Sequence, residues 1–246
     1  AASPGPSTDS PVTPSKPRSG RAAPRGADQT RAVAKAALAS FSEGGYRLTQ
    51  IAHVSERLGV SVGAIYRHVE SKEALFHLAV LAAVNQLPEA FILPMKVSGF
   101  EDTLRVMGEL VDSRPAWPIL RKALRSAAPP DRKAEARAVG GELFAIMSGR
   151  AALIRLLDRC AQDIPELAEV FDRQVRNRLL DDLITWVHRR RLAGDSQKPA
   201  AEALARGAME AVAWLAKARP YDSTATAITE DQARDAAVRI FANAFD

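Results

Sequence analysis

From Lys72 to the end of the chain, apolar residues recur every three to four positions. Nowhere do they alternate with polar ones as a half-buried strand requires. The pattern predicts helices at about 72–86, 100–112, 115–127, 131–161, 165–192, 199–218 and 230–245. Pro88 and Pro94 break the chain between the first two. Pro115 and Pro165 stand at helix starts, where the missing N–H does no harm. Thr229 and Gln232 make a capping box for the last helix. Within 165–192, Phe171, Val175, Leu179, Leu183 and Val187 form an apolar stripe, with Arg173, Arg176 and Arg190 elsewhere. Arg189, Arg190 and Arg191 end that helix, where cations suit its dipole, and they read as structural.

Ahead of Lys72 the pattern is shorter and more punctuated. Thr49 is an N-cap candidate, and Ile51, Ala52, Val54 and Ser55 open a short helix. Gly59 sits at a turn, where positive φ is cheap for glycine. Ser61 caps a second helix running from Val62 to His68, and Ser71 caps the long apolar helix from Lys72. This is helix-turn-helix spacing, in which the second helix enters the DNA major groove. Ile65 and Val69 lie four apart and face inward, against Leu58 and Val54. The outward face carries Val62, Gly63, Ala64, Tyr66, Arg67 and His68. Gly63 costs roughly 1 kcal/mol of helix stability relative to alanine, and close approach of backbone to DNA would offset it. Tyr66 and His68 can hydrogen-bond phosphates, as can Lys72 and the backbone N–H groups near Thr49 and Ser61. The structural alternatives are a Tyr66 that covers a small core, a solvent-facing His53 and a solvated Arg57.

Thr49, Val54-Ser55, Gly59-Val60-Ser61, Gly63, Ile65-Tyr66, Arg67-His68 and Ser71-Lys72-Glu73 stand in one register. In that register the segment resembles the DNA-binding domain of the TetR (tetracycline repressor) family of bacterial regulators. The upstream helix fits as well, with Ala34, Ala37, Leu38 and Phe41 before Gly44-Gly45-Tyr46. The resemblance is specific over about 30–78 and weaker beyond. Val69 stands where phenylalanine is usual and keeps a core role. Ala64 stands where threonine is common, which removes a hydroxyl that could touch a base or phosphate. The resemblance implies an all-α chain with an N-terminal three-helix helix-turn-helix domain and a C-terminal helical domain for ligand binding and dimerisation.

Charge sharpens the division of the chain. Residues 1–27 hold six prolines, three glycines and five serines, with almost no bulky apolar side chains. Such a segment cannot bury enough surface to offset ordering and is expected to be disordered. Lys16, Arg18, Arg21 and Arg25 against Asp9 give it +3 of the formal +5. A basic arm of this kind can lie along phosphates or reach a minor groove, and equally can be a solvated leader. Residues 28–75 carry only +1, so placement matters more than sum. Arg47, Arg67 and Lys72 are expected near the DNA face, Asp28 and Glu43 away from it. The expected domains are the tail at 1–27, the helix-turn-helix at 28–75 and an effector-binding and dimerisation domain at 76–246.

In the C-terminal region, Met107, Leu110, Trp117, Leu120, Leu124, Phe144, Met147 and Leu153 are candidates to line an apolar pocket, with ordinary core packing as the alternative. Methionine adapts to ligand shape and a Trp N–H offers a polar anchor. The expected occupant is an unknown apolar or amphipathic effector, and the helix at 72–86 is the expected lever between effector and DNA. Two stripes rich in small residues suggest a homodimer. One is Leu204, Ala208, Ala211, Val212 and Leu215; the other is Ala233, Ala237, Ile240, Phe241 and Ala244. Intrachain packing is the alternative, and the family resemblance, whose last two helices build the dimer, favours association. A dimer would read half-sites about 34–36 Å apart in double-stranded operator DNA.

Other functions have little support. The four histidines, His53, His68, His77 and His188, are scattered, and none pairs with a cysteine or carboxylate at metal-ligand spacing. No phosphate loop or nucleophile elbow occurs, and the adjacent Asp181 and Asp182 diverge on a helix. No enzyme activity, metal or cofactor is expected. Cys160 is the single cysteine and reads as a small buried hydrophobe. No apolar run approaches 18 residues, so no membrane partner is expected. With no apolar leader at the N-terminus, the expected location is the bacterial cytoplasm, at the nucleoid. An all-α adaptor with a vestigial helix-turn-helix is the second reading.

Overall fold

The computed structural model describes residues 25–112, 117–190 and 200–245. Twelve α-helices run through these residues, and they contain no strand. Helices α1 (Arg25–Leu48), α2 (Ile51–Leu58), α3 (Val62–Ile65) and α4 (Lys72–Ala83) come first. Then follow α5 (Glu101–Asp112), α6 (Pro118–Arg125), α7 (Arg132–Gly149), α8 (Ala151–Cys160), α9 (Pro165–Ala168), α10 (Arg178–Arg190), α11 (Ala201–Ala213) and α12 (Glu230–Asn243). Most of the expected tail, along with Pro115 and Arg191, lies outside the described residues. Residues 25–27, expected in the tail, already belong to α1.

Two apolar cores organise these helices. The first joins Ala34, Ala37 and Phe41 of α1 to Val54, Ile65, Val69 and the buried side of α4. It continues without a break through Leu153, Leu156, Leu157 and Cys160 of α8 to Phe171. The second gathers Leu120, Val139, Phe144, Leu183, Trp186, Val212, Ala237 and Phe241. This division explains a correction to the expected helices. The stretch 131–161 is two helices, parted at Arg150, which leaves helical geometry at φ −121° and ψ 16°. α7 buries its side in the second core and α8 in the first, and one straight helix cannot face both.

The expected helix at 165–192 is one helical run over 165–190, with π-helical turns at Glu169–Asn177 between α9 and α10. A second π-helical stretch, Trp214–Ala218, extends α11. α7 and α12 meet at Gly140, where an added Cβ would lie 2.9 Å from Phe241 Cβ. Glu142 of α7 accepts from Ile119 N at 2.7 Å and Leu120 N at 2.9 Å. It thereby caps α6, whose own N-cap residue Trp117 makes no side-chain cap bond.

The basic end of α10 is structural, as expected, though by pairing more than by dipole. The Arg190 guanidinium is buried and donates to both Glu135 oxygens, at 2.6 and 2.9 Å. It also donates to the Ala123 carbonyl of α6 at 2.6 Å. Trp186 Nε1 donates to the same Glu135 at 3.0 Å, so this half-buried carboxylate accepts three hydrogen bonds. Among the described residues, no helix is long and apolar enough to cross a membrane.

Candidate functional site

The frame of the helix-turn-helix is set by backbone termini. Gly59 takes φ +65° after α2, and its N–H donates to the Glu56 carbonyl, closing the turn. Ser61 Oγ accepts from Ala64 N at 3.3 Å, and Ser71 Oγ accepts from Ala74 N at 3.1 Å, so both predicted serine caps are present. Thr49 is different. Its side chain is buried and its hydroxyl donates to the Ser40 carbonyl of α1 at 3.1 Å. The N-cap of α2 is Gln50, whose N–H donates to His53 Nδ1 at 3.2 Å. Thr49 thus fastens α2 to α1 and offers no side-chain oxygen to DNA. Arg57 also holds this joint, donating to Ser40 Oγ at 3.2 Å and pairing with Glu43.

α3 is shorter than expected. Regular helix ends at Ile65, and Arg67 N and His68 N bond three residues back, to Ala64 O and Ile65 O. The tightening rotates His68 inward. His68 is buried, with Nδ1 2.8 Å from Thr30 Oγ1. That hydroxyl donates its proton to the Gly26 carbonyl at 2.9 Å, so it accepts from His68 Nδ1–H. Burial, then the neighbouring Arg67 charge, push His68 below its ordinary value. His68 is a neutral lock between α3 and α1, not a phosphate contact. Its carbonyl accepts from Met95 N at 2.8 Å, and Met95 O accepts from Glu70 N at 3.1 Å. The segment after α4 therefore returns to pin the recognition turn, a contact no local pattern announces.

Outward from this frame stand Ser61, Val62, Gly63, Tyr66 and Arg67, all exposed, with Ala64 half-buried. Tyr66 is 48% exposed and Val62 40%. A Cβ on Gly63 would meet only Ser61 Oγ, at 4.0 Å, so nothing within the chain requires glycine there. Arg47 and Lys72 come together at the end of α1. Arg47 is exposed, and its guanidinium lies 3.9 Å from Asp163. Lys72 Nζ sits 4.5 Å from the Tyr46 ring centroid and donates to the Arg47 carbonyl at 3.3 Å. Burial holds the Lys72 ammonium below its ordinary value.

A cavity of about 340 Å³ opens in the C-terminal region. Met107, Leu110, Trp117, Met147 and Leu153 line it, as the sequence suggested. Leu120 and Phe144 do not, being fully buried in the second core, and Leu124 packs beside them. Trp117 Nε1 donates to Asp182 at 2.8 Å, so it is not free to anchor a ligand. The polar side of the cavity escaped the sequence reading: Arg121, Arg150, Asp158, Gln174, Arg176, Arg178, Glu210 and Lys217. Phe171 and Val175 lie in one π-helical stretch and Lys217 in the other, so both border the cavity. Such turns widen a helix and recur at functional sites.

Residues 33–79 match the model of the bacterial regulatory proteins of the tetR family. These 33–79 are a TetR-family helix-turn-helix domain. The match runs from within α1 through α2 and α3 into α4, the part of the chain where the motif residues stand in register. Among solved structures, one from Mesorhizobium loti MAFF303099, assigned to the TetR family of transcriptional regulators, is similar at 17% identity and a TM-score of 0.43, over 90% of this chain and 96% of that one. No curated protein matches the chain.

Behind the TetR-family domain, the two small-residue stripes are mostly internal. Ala208, Val212 and Leu215 of the first are buried in the second core, and so are Ala233, Ala237 and Phe241 of the second. α12 packs on α7 and α11 through them. Leu204, Ala211 and Ala244 are half-buried, and Ile240 is 47% exposed. The periodicity was real, but its partner for six of these ten residues is the same chain.

Proposed function

We propose that the protein is a transcriptional regulator that inserts α3 and the following turn into the major groove of an operator as a homodimer. It represses, and a small amphipathic effector in the C-terminal cavity releases it. The exposed Val62, Gly63, Tyr66 and Arg67 on a Ser61-capped helix carry this reading, because no packing role explains that surface. Val62 and Ala64 suit thymine methyls, Arg67 suits a guanine edge or a phosphate, and Tyr66 suits a phosphate.

The coupling runs through α8. No α4 residue lines the cavity, so the expected lever at 72–86 has no direct hold on a ligand. α8 lines the cavity with Leu153, Ile154, Leu157 and Asp158. Its other side grips α1, Arg159 donating to the Glu43 carbonyl at 3.0 Å and Cys160 to the Phe41 carbonyl at 3.5 Å. A ligand that shifts α8 would tilt α1 and the helix-turn-helix fastened to it. By linkage, ligand and DNA then weaken each other by the same factor. Dimerisation would use the outward sides of α11 and α12, where Trp214 and Ile240 are the exposed large apolar side chains.

The test is a footprint on DNA around the protein's own gene and on genome-wide selected fragments, with wild type and Tyr66→Ala. A two-fold symmetric protected site that Tyr66→Ala weakens at least tenfold is expected. No salt-sensitive binding in either assay would move the weight to an all-α adaptor.

A further inference from the structure

We infer that the cavity takes a small amphipathic carboxylate, its acid held by Arg121 and Arg150. This rests on reading the cavity as the effector site. Five cationic side chains line it against two carboxylates. Both carboxylates are already engaged: Asp158 with Lys217, and Glu210 with Arg176 at 3.2 Å and Arg206 at 2.9 Å. Among the described residues no carboxylate pairs with Arg121, Arg150 or Arg178. Arg178 is exposed and its charge is solvated. Arg121 and Arg150 are half-buried, one on α6 and one at the α7–α8 junction.

A guanidinium keeps its charge wherever it lies. Two of them beside walls of Met107, Met147, Leu153 and Phe171 leave positive potential uncompensated in a medium of low dielectric. A cationic ligand would be repelled. A neutral ligand would displace water from the guanidiniums and offer at most an uncharged acceptor in its place. A carboxylate fits the guanidinium fork with two parallel hydrogen bonds, while its tail covers the apolar walls. The volume lies near the lower end of ligand pockets, roughly 300–1,000 Å³, which favours a medium-length alkyl or a single-ring acid.

The experiment is displacement of the neutral dye Nile red from the full chain by decanoate and by decan-1-ol. Decanoate should displace at a concentration at least about tenfold lower, the ratio expected for a charge-assisted hydrogen bond. The Arg121→Gln/Arg150→Gln double variant should erase that ratio, chiefly by raising the decanoate midpoint. Its retained fold is checked by helical circular dichroism, and Arg121→Lys/Arg150→Lys, which keeps the charge, should restore part of the preference. Equal midpoints for acid and alcohol in wild type, or a ratio that survives the glutamine variant, would overturn the carboxylate assignment alone. Absence of saturable dye binding, or binding unchanged by the cavity-filling Met147→Trp, would overturn the effector site itself and this inference with it.

Discussion

Gly63 and His68 sit five residues apart and respond to opposite demands. Gly63 is exposed and unconstrained by the chain, so Gly63→Ala should leave folding stability unchanged or raise it, by up to about 1 kcal/mol. The added methyl should nevertheless weaken operator binding by steric exclusion. Urea unfolding beside a DNA titration checks both signs, and unchanged DNA affinity would remove the close-approach role. His68 acts in the reverse sense, on stability. It and His77, whose Nδ1 lies 3.1 Å from the buried Thr103 Oγ1, are both held below the ordinary histidine value of 6.5, chiefly by burial. Because the folded-state pKa is depressed, the unfolded chain binds protons first as pH falls. Stability contributed by the neutral rings is complete above about pH 6.5 and declines below it. Unfolding midpoints between pH 8 and 5 should therefore fall on the acid side, and His77→Asn should flatten part of that fall. At this scale the sequence placed Tyr66 outward, where it stands, and His68 outward, where it is instead buried. A 3.6-residue period places both outside, whereas the tightened turn after Ile65 depends on Thr30 and Met95, distant in the chain.

Each helix is stabilised by what its neighbour supplies. α6 is the clearest case, since its first N–H groups are satisfied by Glu142 on α7 and its C-terminal carbonyls by Arg190 on α10. Glu142→Ala would leave the buried Leu120 N–H without a partner, at about 1–3 kcal/mol, and the partly buried Ile119 N–H to solvent at less. Thermal unfolding should show a loss of roughly 1–3 kcal/mol, and a loss under about 0.5 kcal/mol would mean that water replaces the carboxylate. The serine caps at Ser61 and Ser71 and the Thr229–Gln232 box were legible because a cap is local, within three residues. The capping of α6 was not, since Glu142 lies 22 residues beyond Leu120 and nothing local points it there. The split at Arg150 was missed for a related reason: the apolar period continues through it, and only the presence of two cores decides that the helix must end.

For the whole molecule, an all-α fold and a TetR-family helix-turn-helix could be read before any coordinates, because both rest on short-range spacing. The use of the last two helices could not. Small-residue stripes on α11 and α12 show that something packs closely, and Gly140 facing Phe241 shows that α7 is what packs on α12. The proposed dimer must then rest on side chains left outside. Ile240→Glu should give a monomer by light scattering and reduce the cooperativity of operator binding, while a variant that stays dimeric would place the interface elsewhere. The seam between α1 and α8 has a further consequence. Cys160 is fully buried there, and burial pushes its thiol up to about 12. A thiol so placed reacts with an alkylating reagent only while the two helices are apart, so the labelling rate counts those partings. The chain thus holds its own clock for communication between its halves. Operator DNA and effector should move that clock to different rates, with no cysteine engineered in.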